Sequence, residues 1–568
     1  MAARALLIRR FAFPAVVAGL VALALVPTSA GASGQPMRRV VLLGLKVQGT
    51  PVRFAAQVSD PASASYRKFL TPSQFRSRFS ATTSNQKRVR NFLSNRRGVG
   101  KVQFNPGRTT ALVTVTPKAA KHLFCAKGSK LPVKGTCKPA RLRGAVRQVS
   151  VGESYPAGRK GSAAATPAKP NGGTPQGCQE AVKTGAFTPN QLSTAYEVEG
   201  LHNRGLDGSG IRVTTLSSQM VETSGFKTWA GCFGMPAPKV SQVAMPGGVK
   251  DTGTAPDETV LDIEALASLA PGLERITPIF VPLDQGFSNS LLLFLFGALD
   301  PARQGGELPD ILSISDGVCE IRFTDPELQL GQRLLAELSA QGVTSLAASG
   351  DLGFQGCFTS ASGAMFPSSS RFVTSIGGTD LALNTDNSIS LESVWSTYAT
   401  QPSQGVGSGG GPSARWARPG FQTSPGIGPE LQPGKQTRLA PDLAAMASFT
   451  PGLSVYDSGD SGWGVGGGTS AATPLTAAMV ALTLQQEHAA GRPNLGSLPP
   501  LLYGLGRGLG YQAIFSDVTE GTSSRKPKSA AGQKPSGGQA QFGYDMATGL
   551  GSLKAVDFAD AVAGLVSP

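Results

Sequence analysis

The sequence predicts an α/β protein in two unequal parts, a smaller α/β block at the N-terminus and one large α/β domain behind it. Three observations lead there. Short apolar stretches such as Ile311-Leu-Ser-Ile-Ser315, and the one entering Ser345-Leu-Ala-Ala-Ser-Gly-Asp351, have the length of buried strands. Longer segments carry helical signals, from Asp257 to Leu269 and beyond Ser470. Charge changes sign along the chain: residues 35–160 hold 26 Lys and Arg against 2 Asp and Glu, and residues 161–568 hold 23 against 34. The overall net charge of +16 therefore conceals a block at +24 and a domain at −11. A basic block alone suggests nucleic acid or a membrane surface. An acidic domain in the same chain points instead to an intramolecular contact, with no nucleic acid partner.

The N-terminus carries an export pattern. Arg4, Arg9 and Arg10 precede an apolar run from Phe11 to Val26, and Thr28-Ser-Ala30 suits signal-peptidase cleavage. Residues 1–33 are therefore expected to be a signal peptide and the product secreted. Membrane association follows only if this segment stays uncleaved, since no other is long and apolar enough to span a bilayer. Six cysteines suit an oxidising compartment and allow fifteen pairings. Proximity pairs Cys125 with Cys137. No Asn-x-Ser/Thr sequon occurs. Within the basic block, Val40–Leu45 and Thr110–Thr116 read as strands, and Ser84–Leu93 as a helix with Ser84 at its N-cap. Pro156 to Gly177 is rich in Pro, Gly, Ala, Ser and Lys and reads as a linker.

Three motifs carry the chemistry. Gly466-Gly-Gly-Thr-Ser470-Ala-Ala-Thr-Pro474 places a serine at the start of a helix, after glycines that permit a tight turn. Pro474 is expected in the first turn, where its missing N–H costs nothing. Such a serine has free backbone N–H groups nearby, as a nucleophile attacking a carbonyl needs. The alternative is a plain N-cap serine. The usual base is histidine, but His122 lies in the basic block, and His202 and His488 sit in polar, helix-like contexts. Attention passes to carboxylates. Glu258 and Asp262 are spaced i, i+4 on a helix that stops at Pro271-Gly272, so both project from one face. Two carboxylates that close tend to share a proton in mild acid, and such a pair can take one from a serine. A solvated acidic face is the alternative, which the apolar neighbours Leu261, Ile263, Leu266 and Leu269 weaken. Asp351 ends an apolar stretch beside a glycine, where ligands gather in an open α/β sheet, or is an ordinary turn aspartate.

The ordered set Glu258/Asp262, Asp351 and Ser470 with Pro474 resembles the sedolisin family, the serine-carboxyl peptidases that include kumamolisins. Phe187–Tyr196, Phe372–Thr379, Ser408–Ser413 and Ala440-Pro-Asp442 resemble further landmarks of that family, and Asp60-Pro…Phe75 resembles its activation domain. The resemblance implies a subtilisin-like, mostly parallel sheet flanked by helices, preceded by a smaller α/β propeptide domain. It implies the organisation 34–157 propeptide, 158–177 linker with the processing site, and 178–568 peptidase domain. It implies a secreted, acid-acting zymogen: Ser470 the nucleophile, Glu258 the base steered by Asp262, and protonated Asp351 the oxyanion donor. Polypeptides are the expected substrates, the propeptide an intramolecular inhibitor, and the molecule a monomer. Asp316 departs from the aromatic residue usual there. The resemblance further implies Cys319–Cys357, leaving Cys178–Cys232, and a Ca2+ site from the Asp517 and Asp545 carboxylates with the Val518, Gln541 and Gly543 carbonyls. Gln541 stands where glycine is usual, and Thr522–Gln539 reads as a long loop between the two halves of that site. An aspartic peptidase built on Asp251-Thr-Gly and Asp457-Ser-Gly is disfavoured, because their flanks lack matching strands. A catalytically inactive surface or binding protein on the same fold is the other alternative.

Overall fold

The structure, a computed structural model, describes residues 38–125, 137–152, 172–218, 220–246, 258–282, 286–354, 356–357, 363–401, 405–423, 436–459, 462–507, 510–524 and 538–565. The signal segment, most of the linker, Asp251, Asp257 and the middle of the Thr522–Gln539 run lie outside the described residues.

The basic block forms a four-stranded antiparallel sheet in the order Gln103–Phe104, Thr110–Val115, Arg39–Leu45, Val146–Val151. The Arg39–Leu45 strand is apolar without alternation because both of its faces are covered. Val41 and Leu43 pack with Val89, Leu93 and Phe124 from the block's own helices. Val40 and Leu42, on the opposite face, join Leu291, Leu295, Leu335 and Leu338 of the large domain in one core. The contact between the two parts thus has an apolar core, beside the charge attraction expected to hold them in part. Arg67 does form an ion pair across it, with Glu487 at 2.6 Å. Arg90 and Arg96, by contrast, lie over Phe104 and Phe92 of their own block. The helix expected from Ser84 spans Thr83–Ser94, and its cap is Thr82, whose hydroxyl accepts from Asn85 N–H at 3.3 Å. Two further hydroxyls precede Ser84, and the helix starts on the earliest that can cap it.

The large domain is built on an eight-stranded sheet. Its path runs Ile389–Val394, Thr374–Leu383, Thr344–Ala348, Ile311–Ile314, Arg212–Ser217, Arg275–Phe280, Val243–Ala244, with Leu443–Met446 also paired to Thr374–Leu383. All pairings are parallel except that of Ile389–Val394. From the central Arg212–Ser217 strand the chain fills one side of the sheet, then returns to Ile311–Ile314 on the other. The crevice outside the carboxyl ends of those two strands is a topological switch point, where α/β folds bind ligands. The helices Glu258–Leu269 and Thr469–Ala489 share one core with the sheet, and Phe287–Ala298 and Asp325–Ser339 share a second. The disulfides are Cys125–Cys137, Cys178–Cys232 and Cys319–Cys357, as expected. Among the described residues no helix is long and apolar enough to cross a membrane.

Candidate active site

The Thr469–Ala489 helix begins immediately after the three glycines, with Gly468 as N-cap at φ 80°. Ser470 is therefore its second residue, and Pro474 its sixth. That corrects the expectation of a first-turn proline: Pro474 lies within the helix, where a bond from its nitrogen to the Ser470 carbonyl cannot form. The entry is tight. A Cβ on Gly466 would stand 2.5 Å from Leu261 Cδ1, between Glu258 and Asp262 on the acidic helix. One on Gly468 would stand 2.7 Å from Asp351 Oδ2.

Asp351 Oδ1 accepts from Thr469 N–H at 2.8 Å and from the Thr469 hydroxyl at 2.7 Å. The carboxyl of Asp351 is thus tied to the residue before Ser470. Glu258 opens the acidic helix, whose second residue is anchored to the end of a central strand by Thr259 Oγ1 and Ser217 Oγ, 2.7 Å apart. Asp262, one turn on, is fully buried and accepts from Ser315 Oγ at 2.5 Å. The same Ser315 Oγ stands 3.2 Å from the Ser470 carbonyl, a second acceptor for its one proton, while the Ser470 hydroxyl donates to the Ser315 carbonyl at 3.4 Å. The structure so brings together Ser470, Asp262 and Asp351, with Glu258 on the face that carries Asp262.

Ser315 escapes the sequence reading, although its position at the carboxyl end of Ile311–Ile314 was the available signal. Asp316, the departure from the family pattern, is buried directly after it. Glu264, on the opposite face of the acidic helix, accepts from Tyr456 N–H at 2.8 Å, and burial holds its carboxyl well above the usual range. The histidines stay outside this constellation. His202 Nε2 lies 2.9 Å from the Leu269 carbonyl, where its N–H caps the acidic helix, and His488 meets Asn494. Asp457, of the disfavoured Asp-Ser-Gly pair, ends a hairpin strand and accepts from Gly459 N–H at 2.8 Å.

At the C-terminal end, the turn holding Gln541, Gly543 and Asp545 meets Asp517: Gly543 N–H donates to Asp517 Oδ2 at 3.0 Å. Asp545 is buried and accepts from Ala547 N–H at 2.7 Å and from Thr548 N–H at 2.8 Å. Among the described residues no group of three or more His, Cys, Asp or Glu side chains gathers that could hold a metal ion.

Comparison with known proteins places these features. The sequence profile of the Pro-kumamolisin activation domain matches residues 32–136. Kumamolisin of Bacillus sp. (strain MN-32) is 34% identical over 376 residues, 65% of this chain and 62% of that protein. The chain thus spans less than two thirds of that relative's length. Sedolisin of Pseudomonas sp. (strain 101) is 25% identical over 539 residues, 92% of this chain and 86% of that one. Among solved structures, Pseudomonas sedolisin, a serine-carboxyl proteinase complexed with two molecules of pseudo-iodotyrostatin, has the same fold. Its TM-score is 0.56 at 20% identity, over 69% of this chain and 99% of that one. By the activation-domain match, these relatives and the shared fold, the chain is similar to members of the sedolisin family.

Proposed function

We propose that the chain is a secreted, acid-acting serine-carboxyl peptidase, made as a zymogen, that hydrolyses polypeptides through an acyl-enzyme on Ser470. One observation carries the reading: the Ser470 turn is locked between the Glu258–Leu269 helix, through Leu261, and Asp351, through Thr469. In this mechanism Ser470 Oγ attacks the peptide carbonyl carbon and passes its proton to Glu258, whose negative charge Asp262 orients and shares. The carbonyl electron pair moves to oxygen. Asp351, protonated, donates a hydrogen bond to that oxyanion; because Oδ1 already accepts from Thr469, the proton belongs on Oδ2. Collapse expels the amine, which takes the proton back from Glu258. Water then repeats the sequence on the ester. Unperturbed carboxyl pKa values near ~4 make this mixed protonation state one of acid solution.

The basic N-terminal domain, residues 34–157, is the inhibitory propeptide, and 158–177 contains the cut. At the C-terminal end the oxygen-only donor set suits a hard cation: Asp517 and Asp545 with the carbonyls of Val518, Gln541 and Gly543 would hold Ca2+. That ion would tie the Asp517 strand end to the Gln541–Asp545 turn and would take no part at Ser470. Ser470→Ala is the deciding experiment. It is expected to fold, to remain a precursor in acid, and to lose peptidase activity by many orders of magnitude. Processing of the purified variant in isolation would exclude Ser470 as nucleophile.

A further inference from the structure

We infer that Ser315 is a positioning residue whose side-chain hydroxyl couples the protonation state of Asp262 to the main chain of Ser470. This rests on the peptidase reading above. The starting point is Pro474. In an uninterrupted helix the nitrogen four residues after Ser470 would donate to the Ser470 carbonyl, but proline has no N–H to give. Ser315 Oγ, buried at the end of a central strand, stands 3.2 Å from that carbonyl in the place of the missing donor. The same Oγ is 2.5 Å from Asp262 Oδ1. A hydroxyl has one proton and cannot serve two acceptors fully.

The choice follows the charge on Asp262. When that carboxylate is ionised, the short charge-assisted bond takes the proton. When the Glu258/Asp262 pair has received a proton from Ser470 and Asp262 holds it, the Asp262 O–H donates to Ser315 Oγ. The Ser315 proton then turns to the Ser470 carbonyl. No covalent bond forms or breaks in this exchange beyond rotation of the Ser315 hydroxyl and transfer within the carboxyl pair. Meanwhile the Ser315 main-chain carbonyl accepts the resting Ser470 hydroxyl at 3.4 Å. One residue so holds the nucleophile's hydroxyl before attack and its backbone after it.

The test uses the full-length chain, activated in acid, with kcat and KM measured separately across about pH 2 to 8. Ser315→Ala is expected to lower kcat about ten- to a hundredfold, the share of a hydrogen bond to a charged group, with KM within about twofold. Its acid limb should move up by about one pH unit, since an O–H donor to a carboxylate favours the charged form. Ser315→Thr, which keeps the hydroxyl, should restore both rate and limb. A Ser315→Ala enzyme with wild-type kcat and pH profile overturns the inference. So does a slower enzyme whose acid limb is unmoved or which Thr does not rescue, because that is the behaviour of a merely structural residue. Ser470→Ala is run beside these variants. If the wild-type chain shows no Ser470-dependent hydrolysis, the peptidase reading fails and this inference fails with it. If that hydrolysis is present and Ser315→Ala is silent, the inference alone fails.

Discussion

Gly466, Gly467 and Gly468 each lack a side chain for a different reason: the first faces Leu261, the second the Phe449 ring, the third the Asp351 carboxyl at positive φ. Only the third needs the left-handed backbone; the first needs room. Gly466→Ala is therefore expected to push the acidic helix away from Ser470, with an overpacking cost of about 1–3 kcal/mol in stability and a larger relative loss in kcat. Leu261→Ala in the same chain should recover part of both, and melting curves with steady-state rates on the two single variants and the pair check it. At this scale the sequence was legible where chemistry demands a residue type. Ser470 was picked out by its glycine-rich turn, Asp351 by its place after an apolar stretch, and the i, i+4 pair Glu258/Asp262 because histidine was missing from every plausible context. Ser315 was not, because a serine ending a strand looks like many others. Its importance depends on whether Pro474 sits in the first turn or beyond it, and that is a matter of a few residues in the helix start. His202 as the cap of Leu269 was likewise invisible, since the two residues are 67 apart in the chain.

Among the elements, the Asp325–Ser339 helix is the one both parts of the molecule share. Arg333 on it donates to the Leu45 and Thr109 carbonyls, and Glu337 accepts from Asn105 Nδ2 and Thr109 Oγ1, so its polar stripe faces the activation domain. Burial pushes the Glu337 carboxyl up to about 7, against the lowering pull of Thr109, Arg333 and Asn105. A group raised in the docked state stabilises docking below its free pKa and loses that stabilisation as pH climbs through the docked value. Glu337 therefore strengthens the contact between pH 7 and acid. Glu487 acts with the opposite sign. Burial pushes it up, but the hydrogen bonds from Arg492 and Arg67 leave it below its ordinary value. Its contribution is present above the ordinary carboxyl range and fades as pH falls through the lowered one. In the uncleavable Ser470→Ala chain, Glu337→Gln should raise the melting temperature above pH 7, an effect of up to about 3 kcal/mol, and match its parent near pH 5. Arg67→Ala should weaken docking most at neutral pH and least in strong acid. Melting curves against pH in which each variant differs from its parent by the same amount at every pH would show that neither carboxyl senses the contact. The strands and helices of this region were legible in outline from composition, but the interface was not: a continuous apolar strand says that both faces are covered, without saying by what.

At the scale of the whole molecule, charge asymmetry was easy to read, while the apolar share of the contact was not. The excess of Lys and Arg on the N-terminal domain faces mainly outward, and Val40, Leu42, Phe54 and Val58 make the apolar part of the contact. Self-processing in acid is accordingly expected to change little between low and high salt, since burial of apolar surface is not screened. A rate rising steeply with salt would restore the electrostatic account. Removing Ca2+ with excess chelator should lower the melting temperature while leaving early turnover at Ser470 nearly unchanged, because binding to the native state stabilises it by mass action. An unchanged melting temperature, with no metal in the purified protein, would remove calcium from the description. The Arg39–Leu45 strand has one last implication, for the direction of activation. One of its faces is completed by the domain's own helices and the other only by the body it restrains. Once the connecting chain is cut and the partners separate, the freed domain is left with an open apolar face and no tether to restore its local concentration. On the proposed reading the freed domain is then expected to lose its fold and be digested by the peptidase it covered, so that activation would run as a ratchet: each molecule would be switched on once, and a later return to neutral would not switch it off again.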